Sequence, residues 1–381
     1  MNTMIYLDNA ATTYPKPDSV YQVMDDANRN LAVNSGRGSY KVAREATELI
    51  SDVRSKLLEL VHGVNGEKAV ITTSATNSLQ IILHGIRFEK GDVVYVSPYE
   101  HNAVARNLEV LRKYKGIEIE EIPLVEESLD IDLDKFKYMM TRKPAKCVCC
   151  THVSNVTGYI LPVKEIFEMS HGCGAVNILD ASQSFGLLEI DAKSSNADFI
   201  VFAGHKTLYG PFGASGFIDV NGIELESVLA GGTGSNSTNL DMPQESPNRY
   251  EAGSTNIIAL AGLNEALRVL DQAGNYSHEK ELTNYLVDKL RDIDGVTLYL
   301  PDDVEKHIGV VSFNVEGYTS EEVGMILDED YDIAVRTGYH CAPYIHKYIK
   351  DKDTLGTVRI GLGLFNTKYE IDVLVEAVRE I

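Results

Sequence analysis

From Lys68 onward, short apolar and often β-branched runs alternate with longer stretches whose apolar positions recur at helical spacing. KAVITT, DVVYVS, IEIEEI, KCVCCTHV, AVNILDAS and DFIVFAG read as strands, and TNSLQIILHGIRF, AVARNLEVLRKY and VKEIFEMS as helices between them. A helical crossover returns the chain parallel to the strand it left, so this alternation predicts an α/β fold whose mostly parallel sheet carries helices on both faces. ASGFIDV follows DFIVFAG across the turn-like YGPFG and predicts an added antiparallel strand. The Gly-, Ser-, Asn- and Pro-rich stretch from Gly231 to Pro247 predicts a surface loop. After Asn256 a long helical pattern leads into VTLYL, GVVSFNV and VRIGL with further helices. The expected organisation is a large domain over 17–265 and a smaller α+β C-terminal domain over 266–381, with residues 1–16 packing near the smaller one.

Composition narrows the partners. The 381 residues are 44% hydrophobic and 24% charged, which suits a fully folded chain. With 35 basic and 56 acidic residues the net charge is −21, which repels nucleic acid and anionic membranes. A bound phosphate would therefore need a local site. Five cysteines, odd in number and widely spread, suit a reducing compartment better than a disulfide framework. Residues Met1 to Pro15 lack a basic stretch followed by an apolar core, and nowhere do eighteen apolar residues run together. The expectation is a cytoplasmic protein with no membrane span.

Open α/β sheets bind ligands beyond the carboxyl ends of their strands. There the sequence sets Thr76, His101, Asn155, Asp180 and Lys206, each just past or at the end of a different expected strand. Together they offer a hydroxyl, an imidazole, an amide, a carboxylate and an amine. Pyridoxal phosphate needs such a set: an amine to form an imine, a carboxylate to keep the pyridine nitrogen protonated, and a flat partner for the ring. Lys206 and Asp180 take the first two roles and His101 the third, while Gln183 is placed to reach the phenolic oxygen. In TTSATNSLQ the N–H groups that begin the helix can accept a phosphate, with Thr76 adding a donor.

These residues fall within segments that resemble a known family. YLDNAATT at 6–13, EHNAV at 100–104, THVSNVTG at 151–158, LDASQS at 179–184, AGHKTLYGP at 203–211, NRYEAGSTN at 248–256, RTGYHCAP at 336–343 and VRIGLGLFN at 358–366 run in family order over nearly the whole chain. The resemblance is to the cysteine desulfurase and selenocysteine lyase branch of the class V aminotransferases, which have the type I pyridoxal-phosphate-dependent transferase fold. It implies Lys206 as the cofactor-bearing lysine, Asp180 at the pyridine nitrogen, His101 stacked on the ring and Gln183 at the phenolic oxygen. It further implies Ala75, Thr76 and His205 at the phosphate, and Asn155, Arg359 and Ala10 at the substrate. Gly253 and Ser254 of EAGST would reach the phosphate of a neighbouring subunit in a homodimer. Cys341 matches the cysteine that accepts sulfur from L-cysteine as a persulfide; L-selenocysteine could react likewise, and a protein or small thiol would take the sulfur onward, for example to iron–sulfur assembly.

Three departures stand out. Ala203 replaces a serine that helps to hold the phosphate in many relatives, Tyr40 stands where many place a histidine, and only 17 residues separate Cys341 from Arg359. The short loop resembles the subgroup that relies on an accessory sulfur acceptor. Other features have plainer readings. Cys147, Cys149, Cys150 and His152 look like a metal cluster, but strand alternation sends the first two cysteines to one face and Cys150 to the other, so no metal site is expected. Gly361 and Gly363 lack the context of a dinucleotide fingerprint. A transaminase or epimerase of the same fold, or a scaffold without turnover, are the competing readings, and Cys341 in its motif separates the desulfurase from them.

Overall fold

The computed structural model describes residues 4–36, 38–63, 66–234 and 238–381. Thirteen strands are described: β1 (Ile5–Tyr6), β2 (Lys68–Thr72), β3 (Val93–Val96), β4 (Glu118–Glu121), β5 (Cys147–Thr151), β6 (Val176–Asp180), β7 (Phe199–Ala203), β8 (Ser215–Asp219), β9 (Val296–Tyr299), β10 (Val310–Val315), β11 (Ile333–Ala334), β12 (Arg336–Gly338) and β13 (Thr357–Gly361). Seven form one sheet in the order β2-β8-β7-β6-β5-β3-β4. The neighbours from β7 to β4 pair in parallel, whereas β8 runs antiparallel to both β7 and β2. The segment between β7 and β8 contains no helix to carry the chain back, so β8 must return antiparallel.

Alternation along β5 shows how the sheet is buried on both sides. Val148 and Cys150 pack with Phe136, Phe167, Leu179 and Phe202, while Cys147 and Cys149 pack with Leu79, Val94, Val96 and Leu108 on the other face. A strand covered twice reads as a continuous apolar run, and CVCC does. Truncating a fully buried ring such as Phe202 would cost about 3–5 kcal/mol.

The C-terminal strands form an antiparallel sheet in the order β12-β13-β10-β9. The N-terminal segment lies beside it: β1 pairs in parallel with β11 as a separate two-stranded sheet, and Asp8 bridges to Gly361 of β13. The helix Ile257–Val269, capped by the Asn256 side chain, packs on the helices Asp18–Asn30 and Lys41–Glu59 and runs through residue 265 without interruption. Part of the expected loop, residues 235–237, lies outside the described residues; the described remainder of 231–247 carries no helix or strand. Among the described residues no helix is long and apolar enough to cross a membrane.

Candidate active site

Register brings the site together. Thr151 at the end of β5 lies opposite Asp180 at the end of β6, which lies opposite Val201 of β7, two residues before that strand ends. Beyond this rim opens a cavity of about 200 Å³ lined by Ala10, Ala75, Thr76, His101, Asn155, Asp180, Gln183, His205, Lys206 and Arg359. Ala203 lines it too and contributes only a methyl group. Tyr40 and Cys341 do not line it, nor do Gly253 and Ser254. The last two line a second cavity of about 180 Å³ with Thr72, Thr73 and Asn77, so the two hollows share the turn that follows β2.

Lys206 follows a turn that only glycine can make, since a Cβ on Gly204 would stand 2.0 Å from the Ala214 carbonyl oxygen. Burial pushes its amine down to about 8, opposed by Asp180, with the charges of Arg359 and Arg336 pushing further down. An amine in that range is partly neutral near physiological pH and available as a nucleophile or base. Asp180 accepts from the Ser182 N–H at 3.0 Å. Beside it lies Glu100, fully buried, whose Oε1 accepts from the Ser97 hydroxyl at 2.6 Å and from the Thr151 N–H, while Oε2 has no partner. Burial and then the Asp180 charge push Glu100 up to about 8, so it stays a neutral acid.

His101 caps the helix Asn102–Lys115, its Nδ1 accepting from the Ala103 N–H at 3.0 Å. An accepting Nδ1 requires the proton on Nε2, and burial together with Lys206 lowers the imidazole to about 4. The ring is therefore neutral and offers the cavity a flat aromatic face. The helix Ala75–Gly85 is capped by Ser74, which accepts from the Asn77 N–H; Thr76 sits inside the first turn rather than at the cap. The N–H groups of such a first turn lack intrahelical partners and suit an anion. His205 adds a buried Nδ1 without a partner. Burial, then Lys206 and Lys16, hold that imidazole down at about 3.

On the opposite wall Arg359 of β13 is 1% exposed. It donates to Asp8 Oδ1 at 2.6 Å and to the Asn155 carbonyl at 3.1 Å, and its Nε has no partner. Arg336 lies directly across from it on β12 and also lines the cavity. Like charges opposite each other on one sheet face are unfavourable, and burial plus this repulsion lower Arg359 while Asp8 restores it. Such a pair is suited to an anion entering between them. Arg336 Nη2 also stands 3.3 Å from Cys341 Sγ, joining the cavity to the thiol. Asn155 spends one N–H on the His340 carbonyl at 2.7 Å, and Gln183 spends one on the Ala10 carbonyl at 2.7 Å, leaving each amide a second donor.

Asp8 and Glu100 are not singled out from the sequence, and Arg336 enters only as the first residue of the segment RTGYHCAP. Nor is Lys16, whose amine donates to Thr13 Oγ1 and the His205 carbonyl and is pushed down by burial to about 7. Asp8 lies within the segment YLDNAATT and Glu100 beside His101, but their contacts depend on a bridge to Gly361 and on the β3–β5 register.

Comparison with known proteins agrees with this geometry. The family described as aminotransferase class-V matches residues 5–374. The chain is 33% identical to a protein described as "Probable cysteine desulfurase" from Methanothermobacter thermautotrophicus, over 99% of this chain and 94% of that one. Among solved structures, the apo structure of a cysteine desulfurase from Thermococcus onnurineus NA1 aligns with a TM-score of 0.90 at 31% identity, covering 99% of this chain and 94% of that one. A cysteine desulfurase from Escherichia coli aligns with a TM-score of 0.85 at 25% identity over the same shares. The chain belongs to the class-V aminotransferase family, within its cysteine desulfurase branch.

Proposed function

We propose that this protein is a pyridoxal-phosphate-dependent cysteine desulfurase that converts L-cysteine to L-alanine and leaves the sulfur as a persulfide on Cys341. The observation that carries the reading is Arg336, which lines the Lys206 cavity and donates to the Cys341 sulfur at 3.3 Å. The relatives described as cysteine desulfurases support it.

The residues present fit the cofactor. A partly neutral amine at Lys206, the carboxylate of Asp180, the flat neutral ring of His101, the helix N-terminus at Ala75 and Thr76, and the unpartnered His205 Nδ1 match its aldehyde, pyridine nitrogen, ring face and phosphate in turn. When bound, the cofactor supplies an electron sink for charge developing at the substrate α-carbon. Arg359 holds the substrate carboxylate with its guanidinium fork, assisted by the free donor of Asn155. Lys206 takes the α-proton and returns one as the reaction closes. The Cys341 thiolate attacks the substrate sulfur: the S–S bond forms, the C–S bond breaks, and its electron pair passes to the carbon that is protonated to give the methyl group of alanine. Arg336 faces the sulfur where the attacking charge resides.

The same reading includes a homodimer in which Gly253 and Ser254 serve the neighbouring copy's site, a cytoplasmic location, and delivery of sulfur to an acceptor protein or small thiol such as one feeding iron–sulfur assembly. It also includes reaction with L-selenocysteine. The large domain then spans 17–265 and the small one 266–381, with residues 1–16 against the latter, of which 1–3 lie outside the described residues. Alanine release from each amino acid, with and without candidate acceptors, tests the reading. Release of alanine dependent on Cys341 is the expected result, and transamination or racemisation without it would overturn the proposal.

A further inference from the structure

Three consecutive carbonyls at the thiol are each held by a different element. The Cys341 carbonyl accepts from the Asn102 N–H at 2.6 Å and the His340 carbonyl from Asn155 Nδ2 at 2.7 Å, both from beyond the large sheet. The Tyr339 carbonyl accepts from His346 Nε2 at 2.9 Å. His346 in turn presents Nδ1 to Asp351 Oδ2 at 2.5 Å. Both side chains are buried, at 8% and 2% exposure, and the reaction as described uses neither. The chain of contacts continues. The Asp351 carbonyl accepts from the Thr354 hydroxyl at 3.0 Å, and Thr354 Oγ1 accepts from Asn314 Nδ2 of β10 at 2.7 Å.

Within the turn itself the Tyr339 carbonyl also accepts from the Ala342 N–H at 2.9 Å, and the backbone so closed is strained. His340 and Cys341 both lie in the left-handed region, at φ 45° and 58°, where a side chain crowds its own backbone. Closure behind them is tight as well: a Cβ on Gly356 would stand 2.3 Å from the Gly338 backbone. A carbonyl only accepts, so His346 must donate from Nε2. That leaves Nδ1 facing Asp351 Oδ2, and one proton shared between the two atoms ties the ring to the carboxyl group. The Tyr339 ring meets the His346 ring edge-on at 5.0 Å, and His340 is separately fixed by Thr357 Oγ1 at 2.8 Å.

We propose that His346 and Asp351 form a buried brace that fixes the Tyr339–Cys341 backbone, and so are positioning residues that aim the Cys341 thiol during sulfur transfer. The inference rests on Cys341 being the sulfur acceptor. A misaimed nucleophile slows the transfer step without weakening substrate binding, so the loss falls on kcat and not on KM.

The test uses the full chain with bound cofactor and three variants, His346→Asn, His346→Gln and Asp351→Asn. Glutamine can keep a donor near the Nε2 position and the Tyr339 tie; asparagine at 346 reaches only as far as Nδ1 and loses it. Three readouts are taken: cofactor absorbance and its change on adding L-cysteine, kcat and KM for alanine release, and the rate at which iodoacetamide alkylates Cys341 without substrate, located by peptide mass. His346→Asn should retain the absorbance change and a KM within about threefold, lose about tenfold or more in kcat, and shift the alkylation rate; His346→Gln should recover much of the kcat. If kcat and alkylation in His346→Asn and Asp351→Asn stay within about twofold of the parent, the brace does not position the thiol. Loss of cofactor absorbance in all three variants would also overturn it, because a brace confined to this loop leaves the Lys206 cavity intact. Should Cys341→Ala itself release alanine at the parent rate, the persulfide reading falls instead, while alkylation still decides whether the brace holds the loop.

Discussion

The two halves of the site are built on different principles. Around Lys206, side chains project from the ends of parallel strands and the first turns of two helices, on a sheet buried on both faces. Around Cys341, a short left-handed turn hangs from hydrogen bonds to Asn102, Asn155 and His346. Binding a flat cofactor and moving a proton call for fixed geometry, which strand ends supply. Accepting sulfur and then giving it away calls for a thiol outside the cavity, which a loop supplies. The comparison predicts that damage to the first region abolishes all chemistry, whereas damage to the second separates substrate binding from sulfur release.

Lys206→Ala carries the largest expected effect: alanine release should fall by about 10³-fold or more, together with loss of the cofactor's lysine-bound absorbance. Borohydride trapping and peptide mapping locate the attachment, and a label on any other lysine would end this assignment. Cys341→Ala should lose about 10²–10³-fold in alanine release yet keep its colour and its spectral response to L-cysteine. Residual activity toward L-selenocysteine is compatible with this, because its carbon–selenium bond is weaker.

The place of Lys206 at the cavity is legible in the sequence for a physical reason, whereas the role expected of Cys341 rests on the resemblance carried by RTGYHCAP. Alternation of strand and helix patterns fixes which end of each strand faces the ligand, so Thr76, His101, Asn155, Asp180 and Lys206 follow from position along the chain. Period-two alternation likewise separates Cys147 and Cys149 from Cys150, as the two apolar clusters show. What escapes depends on pairing between distant segments. Asp8 reaches Arg359 only because the N-terminal segment bridges to the small sheet, and Arg336 faces Arg359 only through the β12–β13 register. Ser74, not Thr76, caps the helix Ala75–Gly85, a distinction that spacing alone does not make. Gly253 and Ser254 lie outside the Lys206 cavity of their own chain, and their expected role involves a second copy.

Smaller effects sharpen the boundary between the regions. Arg336→Lys keeps the charge but not the planar fork, and should lower kcat about tenfold while raising KM for L-cysteine, since Arg336 touches both the cavity and the thiol. An unchanged KM would confine Arg336 to the thiol side. The smallest effect is on stability. Glu100 holds its proton up to about pH 8 when folded, against an ordinary value of 4.5. Between those values the unfolded chain releases that proton and the folded one keeps it, so rising pH erodes stability until about pH 8 and then levels off. Glu100→Gln keeps the acceptor for Ser97 and Thr151 and should stabilise the protein by about 1–3 kcal/mol at pH 8, with little gain near pH 4.5. Glu279, likewise buried and pushed up to about 8, adds a similar slope, so the variant should remove only part of the dependence. Thermal melts across that range read it directly, and an equal gain at both ends would rule out the titration.

The division between cavity and thiol is tested most directly by a single turnover without acceptor. Protein with bound cofactor is mixed with one equivalent of L-cysteine, quenched, and read for alanine and for the mass of the peptide that carries Cys341. Each alanine formed should be matched by one sulfur added to Cys341 and to no other cysteine. Full alanine release with Cys341 unmodified, or with the sulfur on Cys147, Cys149, Cys150 or Cys173, would contradict it.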